Sequence, residues 1–370
     1  MKFNLFTLGE LVTIKYGKNQ KKVQSEDGAI PIYGTGGLMG YATDALYDKP
    51  SVLIGRKGTI NKVRYVDHPF WTVDTLFYTE VNEELAIPKY LYYLMSLLDL
   101  DSYNEGTTIP SLRTETLNRL EFNIPDLDYQ GKVLSILEPI DKKINLNEEV
   151  NKNLLQQALC LYTSLIDGKS KNGCIGDYCT LKSGFAFKSK WWQDCGVPVV
   201  KIGSINQDYL NLSDCSYVSE DKIALAKDFI VSGGDLLIAM TGATIGKFTM
   251  VPKTSETILV NQRVGKFFLG NNPIDRIPFI YSTLKQPEII SEVINRGQGS
   301  AQPNISAADI LSIPCVIPKS TEINDYNQQA SPMFELIINN QFENLVLAQT
   351  RDALLPQLMS GELDISAIDL

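Results

Sequence analysis

Three hundred and seventy residues, 44% of them hydrophobic and 21% charged, suit two or more globular domains and exclude a disordered or collagen-like chain. No apolar run approaches the roughly eighteen residues that span a bilayer, and the opening MKFNLFTLGE lacks the basic start and long apolar core of a secretion signal, so a cytoplasmic protein is expected. The net charge of −9 argues against a polyanionic partner only until it is mapped: residues 1–319 carry 33 basic against 35 acidic side chains, and residues 320–370 carry 1 against 8.

In chain order, the first half shows β-rich runs bounded by Gly and Pro: AIPIYG, SVLIG, KVRYV and TLFYTEV. YLYYLMSLL then reads as helix. After Pro125 the positions Val133, Leu137, Ile140, Ile144, Asn147, Asn151, Leu154, Ala158, Leu161 and Leu165 step by alternating four and three, a heptad seam that Gly168 stops. The second half repeats the plan with VPVVKIG, DLLIAM and KFTMV as strands. Its own seam runs through Phe334, Ile338, Gln341, Leu345, Ala348, Asp352, Leu355 and Met359 to a stop at Gly361. Pro139 and Pro356 fall inside these stretches and are expected to kink or restart the helices. The seams, over 129–166 and 326–360, either pack on their own domains or on each other. Paired, they would run antiparallel, with Asn147, Asn151, Gln341 and Asp352 weakening the pair while fixing its register.

The two halves are copies. LGELVTIKYG from Leu8 matches IGDYCTLKSG from Ile175, including the Thr-x-Lys-x-Gly ending. SVLIGRKGTINKV from Ser51 aligns with DLLIAMTGATIGKF from Asp235 if one residue is inserted. GTTIPSLRTETLNRLEFNIP from Gly106 matches GSAQPNISAADILSIPCVIP from Gly299 without a gap, pairing Pro110 with Pro303, Leu117 with Ile310 and Pro125 with Pro318. The unit is far longer than a solenoid repeat. Each half reads as α+β with a mostly antiparallel sheet.

Most catalytic chemistry is excluded. A single histidine, His68, rules out zinc sites built on His pairs and leaves no setting for Ser-His-Asp machinery. Cys174 and Cys179 have no second pair at ligand spacing, and all six cysteines lie after residue 159, so free thiols and no metal are expected. Gly242 to Phe248 imitates a phosphate-binding loop but is one residue short between glycines and places Phe where Ser or Thr must hold magnesium. Gly34 to Gly37 lacks the following helix and distal acid of a dinucleotide turn. Asp126 with Asp141, Lys142 and Lys143 resembles a nuclease set, yet Asp141 falls on the helical seam rather than on a strand. There is no Asn-Pro-Pro-aromatic string for methylating a base amino group, nor any Pro-Pro dipeptide.

Recognition remains. Loops rich in Lys, Arg, Thr, Asn and Gln offer the side chains that meet phosphates and base edges. In the first half the candidates are Lys18, Lys21, Lys22, Arg56, Lys57, Thr59, Asn61, Lys62, Thr107, Thr108, Ser111 and Arg113. In the second they are Lys182, Lys188, Lys190, Thr241, Thr244, Lys247, Gln262, Arg263, Gln298, Ser300, Gln302 and Asn304. Charge alone leaves both a phosphate-binding face and a merely solvated one open, because salt screens the acidic tail from basic loops more than about 10 Å away.

At these residues the sequence resembles the specificity subunits of Type I restriction-modification enzymes. The resemblance is carried by IPIYGTGGLMGY, SVLIGRKGTINKV, FWTVDTLFY, GTTIPSLRTETLNRLEFNIP and the terminal RDALLPQLMSGEL, in an order that covers nearly the whole chain. Asn61 stands where the family usually has Gly, and the Gly36-Gly37 loop is missing from the second half, which suggests that the halves read different bases. The resemblance implies two target recognition domains, 1–125 and 171–318, separated by a central helix in 126–170 and a C-terminal helix and tail in 319–370. The helices would form an antiparallel coiled coil about a pseudo-two-fold repeat. It further implies no catalysis and no cofactor in this chain. The partners would be double-stranded DNA with a bipartite site, two adenine-N6 methyltransferase subunits and two motor-nuclease subunits, which would use S-adenosylmethionine, ATP and magnesium. A repeat-built interaction or carbohydrate-binding protein is the alternative.

Overall fold

The computed structural model describes residues 3–298 and 303–365. The chain divides into two compact units, residues 1–142 with 348–370, and residues 143–347. Among the described residues no helix is long and apolar enough to cross a membrane.

The first unit begins with β1 (Phe3–Thr7), the short helix α1 (Leu8–Leu11) and β2 (Val12–Tyr16). β3 (Ile30–Gly34), β4 (Gly37–Ala42), β5 (Ser51–Gly55), β6 (Val63–Val66), β7 (Trp71–Thr72) and β8 (Leu76–Val81) follow. After them come α2 (Pro88–Ser96), α3 (Thr114–Asn118) and β9 (Glu121–Pro125). β5 is buried along its whole length, which is why SVLIG reads as a continuous apolar run rather than an alternating one. It lies inside an antiparallel sheet of order β2-β8-β5-β6. A second sheet, β4-β3-β7, contains one parallel pair, Ile32 with Trp71. β1 and β9 pair antiparallel from Phe3 with Pro125 to Thr7 with Glu121, closing the ends of the unit on each other.

The second unit repeats this plan. After β10 (Gly173–Cys174) and β11 (Thr180–Ser183) come β12 (Trp192–Gln193), β13 (Val197–Val200), β14 (Ser216–Val218), β15 (Ile230–Val231), β16 (Leu236–Ala239), β17 (Phe248–Met250), β18 (Ile258–Val260) and β19 (Val264–Phe268). The antiparallel sheet has order β11-β19-β16-β17, matching the first unit strand for strand, and β16 is again fully buried. β13 and β18 reproduce the parallel pair, and β10 closes on β20 (Pro314–Cys315). Helices α5 (Ile277–Leu284), α6 (Pro287–Gly297) and α7 (Ala307–Leu311) cover the core. The copies differ after β3 and β13: the first continues into the β3–β4 hairpin, the second into a tight turn at Ile202–Ser204 and a longer excursion to β14.

Two long helices begin in one unit and end in the other: α4 (Leu127–Ile166), and α8 (Ser320–Ser360), numbered after the short helices. Neither is interrupted, so neither Pro139 nor Pro356 restarts its helix. Both rings lie on exposed faces, where water can reach the carbonyl that loses its partner, and the packed faces offset a cost of about 3 kcal/mol. Gly168 and Gly361 follow the last turns with φ of 67° and 75°, conformations that favour glycine. Within the first unit Asp141 meets Arg351 at 2.9 Å, and the Tyr129 hydroxyl donates to the Leu363 carbonyl at 3.2 Å. Within the second, Asn147 donates to Asn344 at 2.8 Å and Asn340 to Asn151 at 2.8 Å. Partner numbers fall on α8 as they rise on α4, so in each unit the two helices run antiparallel.

The seam is partly displaced from its expected positions. Leu137 and Leu355 are buried in the first unit's core, and Phe334 and Ile338 in the second's, where the Phe334 ring meets Tyr281 at 5.3 Å. Ile140, Ile144, Leu154, Leu161 and Leu345 are half-buried. Gln341 does not face α4: its amide donates to the Asp208 carbonyl at 2.9 Å. Asp352 is exposed and pairs with Arg351 at 2.8 Å. A straight helix drifts from a strict heptad by about 20° per repeat, and here Asn340 and Asn344 take the polar seam positions instead.

Candidate nucleic-acid interface

In the first unit, main-chain hydrogen bonds gather the basic loops at one corner. β2 ends at Tyr16; the amide of the next residue, Gly17, donates to the Leu76 carbonyl at 3.0 Å, and that of Lys18 donates to the Thr72 carbonyl at 2.8 Å. The approach is so close that any side chain at Gly17 would collide with the Val73 carbonyl. The Trp71 indole donates to the Lys18 carbonyl at 2.8 Å, which fixes where the Lys18–Lys22 loop leaves the sheet. From the end of β5, the Arg56 amide donates to Thr75 at 2.8 Å, and its guanidinium donates to the Asp74 carbonyl at 2.6 Å and lies 5.3 Å from the Tyr16 ring centre. Two further bonds tie in the 106–113 loop: Gly58 N–H to Pro110 at 2.9 Å and Leu112 N–H to Arg56 at 3.0 Å. Gly58 holds φ +91°, with the Thr35 hydroxyl 3.7 Å from where a Cβ would stand, so the β3–β4 turn borders the same corner.

Lys18, Lys21, Lys22, Lys57, Thr59, Asn61, Lys62, Thr107, Thr108 and Arg113 are exposed here, and Arg56 and Ser111 half-buried. Asn61 and Arg113 already have partners in the chain, Asp101 at 3.0 Å and Glu105 at 3.1 Å. No carboxylate forms an ion pair with Lys18, Lys21, Lys22, Arg56, Lys57, Lys62 or Arg64 among the described residues, so their charge is free to meet phosphate.

The second unit builds the same corner with other side chains. Gly184 N–H donates to Val264 at 2.9 Å and Phe185 N–H to Val260 at 2.8 Å, and Gln262 N–H returns to Phe185 at 2.9 Å. The loop tie recurs bond for bond: Gly242 N–H to Pro303 at 2.9 Å and Ile305 N–H to Met240 at 3.0 Å, with Gly242 at φ +71°. Lys182, Lys188, Lys190, Gln262, Arg263, Gln298 and Asn304 are exposed, and Thr244 and Lys247 half-buried. Thr241 departs from expectation. Its side chain is 8% exposed and its hydroxyl finds no partner among the described residues, so it supports the loop from inside instead of facing outward. Ser300 and Gln302 lie outside the described residues.

Several residues join these corners that spacing alone did not single out. Lys201 lies 3.8 Å from the Trp192 ring centre, and burial pulls its pKa down. Lys188 and Lys222 approach Trp191 at 5.3 and 5.1 Å. The only advance signal was the Lys-Ser-Lys-Trp-Trp run. The nuclease-like acids, by contrast, serve the fold: Asp126 accepts from the Tyr129 amide at 2.9 Å at the start of α4, and Asp141 takes Arg351 and the Tyr93 hydroxyl. Burial, and then that bond to Asp141, push the Tyr93 phenol far above its usual range. Among the described residues no group of three His, Cys, Asp or Glu side chains is placed to hold a metal ion.

Comparison with known proteins gives concordant matches. The family model described as Type I restriction modification DNA specificity domain matches residues 1–156 and again 168–345. The chain is 24% identical to the Type I restriction enzyme MjaIX specificity subunit of Methanocaldococcus jannaschii, over 87% of this chain and 80% of that one. It is 23% identical to the Type I restriction enzyme HindI specificity subunit of Haemophilus influenzae, over 79% and 81%. The crystal structure of a Type-I restriction-modification system S subunit from M. genitalium superposes with a TM-score of 0.60 at 17% identity, covering 97% of this chain and 96% of that one.

Proposed function

The chain belongs to the family of Type I restriction-modification specificity subunits, and from that premise we propose that its two units read the two halves of one bipartite DNA site. The observation that carries this reading is the repeated corner: the same main-chain tie in both units, presenting basic side chains most of which form no ion pair among the described residues. Side chains differ between the copies, Arg56 and Lys57 against Met240 and Thr241, so the half-sites differ and the site is asymmetric. Exposed lysines such as Lys22 position the duplex through phosphates, and Arg56 and Lys57 together with the shorter amides and hydroxyls read base edges.

The chain performs no bond-making of its own in this reading. Adenine-N6 methyltransferase subunits and motor-nuclease subunits, two of each, would bring S-adenosylmethionine, ATP and magnesium. α4 and α8 serve as their docking surface and set the unread gap between half-sites. The test is a methylome of cells carrying this chain with its partner methyltransferase, followed by titration of the assembled complex against that site at several salt concentrations. A bipartite asymmetric motif, bound with salt-dependent affinity and lost on mutating either half, is expected. Methylation by the isolated chain, or binding without sequence preference, overturns the reading.

A further inference from the structure

In the second unit β14 pairs with β13 as β4 pairs with β3, but across a longer connection that lacks the glycine tip of the β3–β4 hairpin. Its tip is almost bare: Gly34 pairs with Gly37, Gly36 has open space around it, and Gly37 takes φ +122°. The pairing register shifts between Ile32 and Tyr33, whose partners are Gly40 and Leu38, so Met39 is the extra residue of a β-bulge. Leu38, Met39 and Tyr41 are 53%, 56% and 45% exposed on one short edge strand. Single exposed apolar side chains are ordinary, but three within four residues of a glycine-tipped hairpin form a patch that calls for an occupant.

The surroundings identify the occupant. Thr35 borders the Gly58 loop, and the Arg64 guanidinium lies 3.5 Å from where a Cβ of Gly37 would stand. Neither Arg64 nor Lys57 has a carboxylate partner among the described residues. A narrow apolar tip flanked by unpaired cations matches a duplex groove, which offers base faces inside and phosphates at its edges. Resting on the DNA-reading assignment above, we propose that this hairpin enters a groove of the first unit's half-site and presses Leu38 and Met39 against one base step, partly unstacking it. The first unit would then select its half-site in part by how easily that step deforms, whereas the second would rely on contacts alone.

The test uses the full chain assembled with its methyltransferase partner. Duplexes carrying both half-sites bear 2-aminopurine at successive positions other than the methylated adenine. The wild type should brighten at one step of one half-site. The double variant L38S/M39S should lose that signal and bind roughly tenfold more weakly, with an unchanged salt slope because no phosphate contact is removed. The swap Leu38→Met with Met39→Leu should keep both. Retained brightening or unchanged affinity in the serine variant overturns the proposal, and so does intact DNA binding with loss of the methyltransferase, which would make the patch a protein-docking surface. A wild-type complex without sequence preference would instead bring down the DNA-reading assignment itself.

Discussion

Arg56 and Lys22 belong to the same basic surface yet are held very differently. The Arg56 guanidinium is fixed by the Asp74 carbonyl and the Tyr16 ring, while Lys22 is exposed and forms no ion pair among the described residues. A fixed fork suits a base edge and a mobile ammonium suits a phosphate. Arg56→Ala, and Lys57→Ala beside it, should therefore weaken recognition of one half-site only. Lys22→Ala should weaken binding to every sequence and flatten the salt slope by about one. Titration against half-site mutants at several salt concentrations separates these outcomes, and equal loss on both half-sites would remove Arg56 and Lys57 from base readout. The cysteines sort by the same logic of environment. All six are free, but burial pushes the thiols of Cys179 and Cys315 up to about 12, whereas Cys160 and Cys195 are exposed. Alkylation of the native chain should label Cys160 and Cys195 and spare Cys179, Cys215 and Cys315 until denaturant is added. Because the unfolded thiols ionise near 9 and the folded ones do not until about 12, stability should fall as pH rises through that window.

At the scale of single elements, the Thr-x-Lys-x-Gly ending of β2 and β11 shows why a repeat keeps particular letters. An added methyl at Gly17 would collide with the Val73 carbonyl, and one at Gly184 with the Val260 carbonyl, both rigid backbone. Gly17→Ala and Gly184→Ala should each cost on the order of 2–4 kcal/mol, read as a shift in denaturant midpoint. Gly131→Ala, in the second turn of α4 with nothing within 4 Å, should stabilise by up to about 1 kcal/mol. Elements whose identity depends on local pattern were legible beforehand: the buried runs of β5 and β16, the helix at Pro88–Ser96, the glycine stops and the duplication itself. Those that depend on tertiary choice were not. Gln341 has the spacing of a seam residue, but only the fold places the Asp208 carbonyl within its reach. The basic loops were legible as a set, whereas the burial of Thr241 and the pairing of Arg113 with Glu105 follow from packing that spacing does not encode.

Considered whole, the molecule joins two copies of one unit through α4 and α8. Four residues inserted near Asn151, with the matching insertion near Asn340, add roughly 6 Å at 1.5 Å per residue and nearly a full turn. The unread gap of the target should then lengthen by one or two base pairs, given about 3.4 Å per base pair, with both half-sites unchanged. Two-residue insertions would rotate the facing side by about 200° and should abolish assembly. Methylome sequencing decides, and an unchanged gap with robust methylation would free the helices of any measuring role. The tie that closes each corner uses backbone atoms alone, from Gly58 to Pro110 and from Gly242 to Pro303. If the loops read DNA as proposed, their side chains can be replaced around this tie without loosening the frame. On that reading, what the chain recognises can change while how it folds stays fixed.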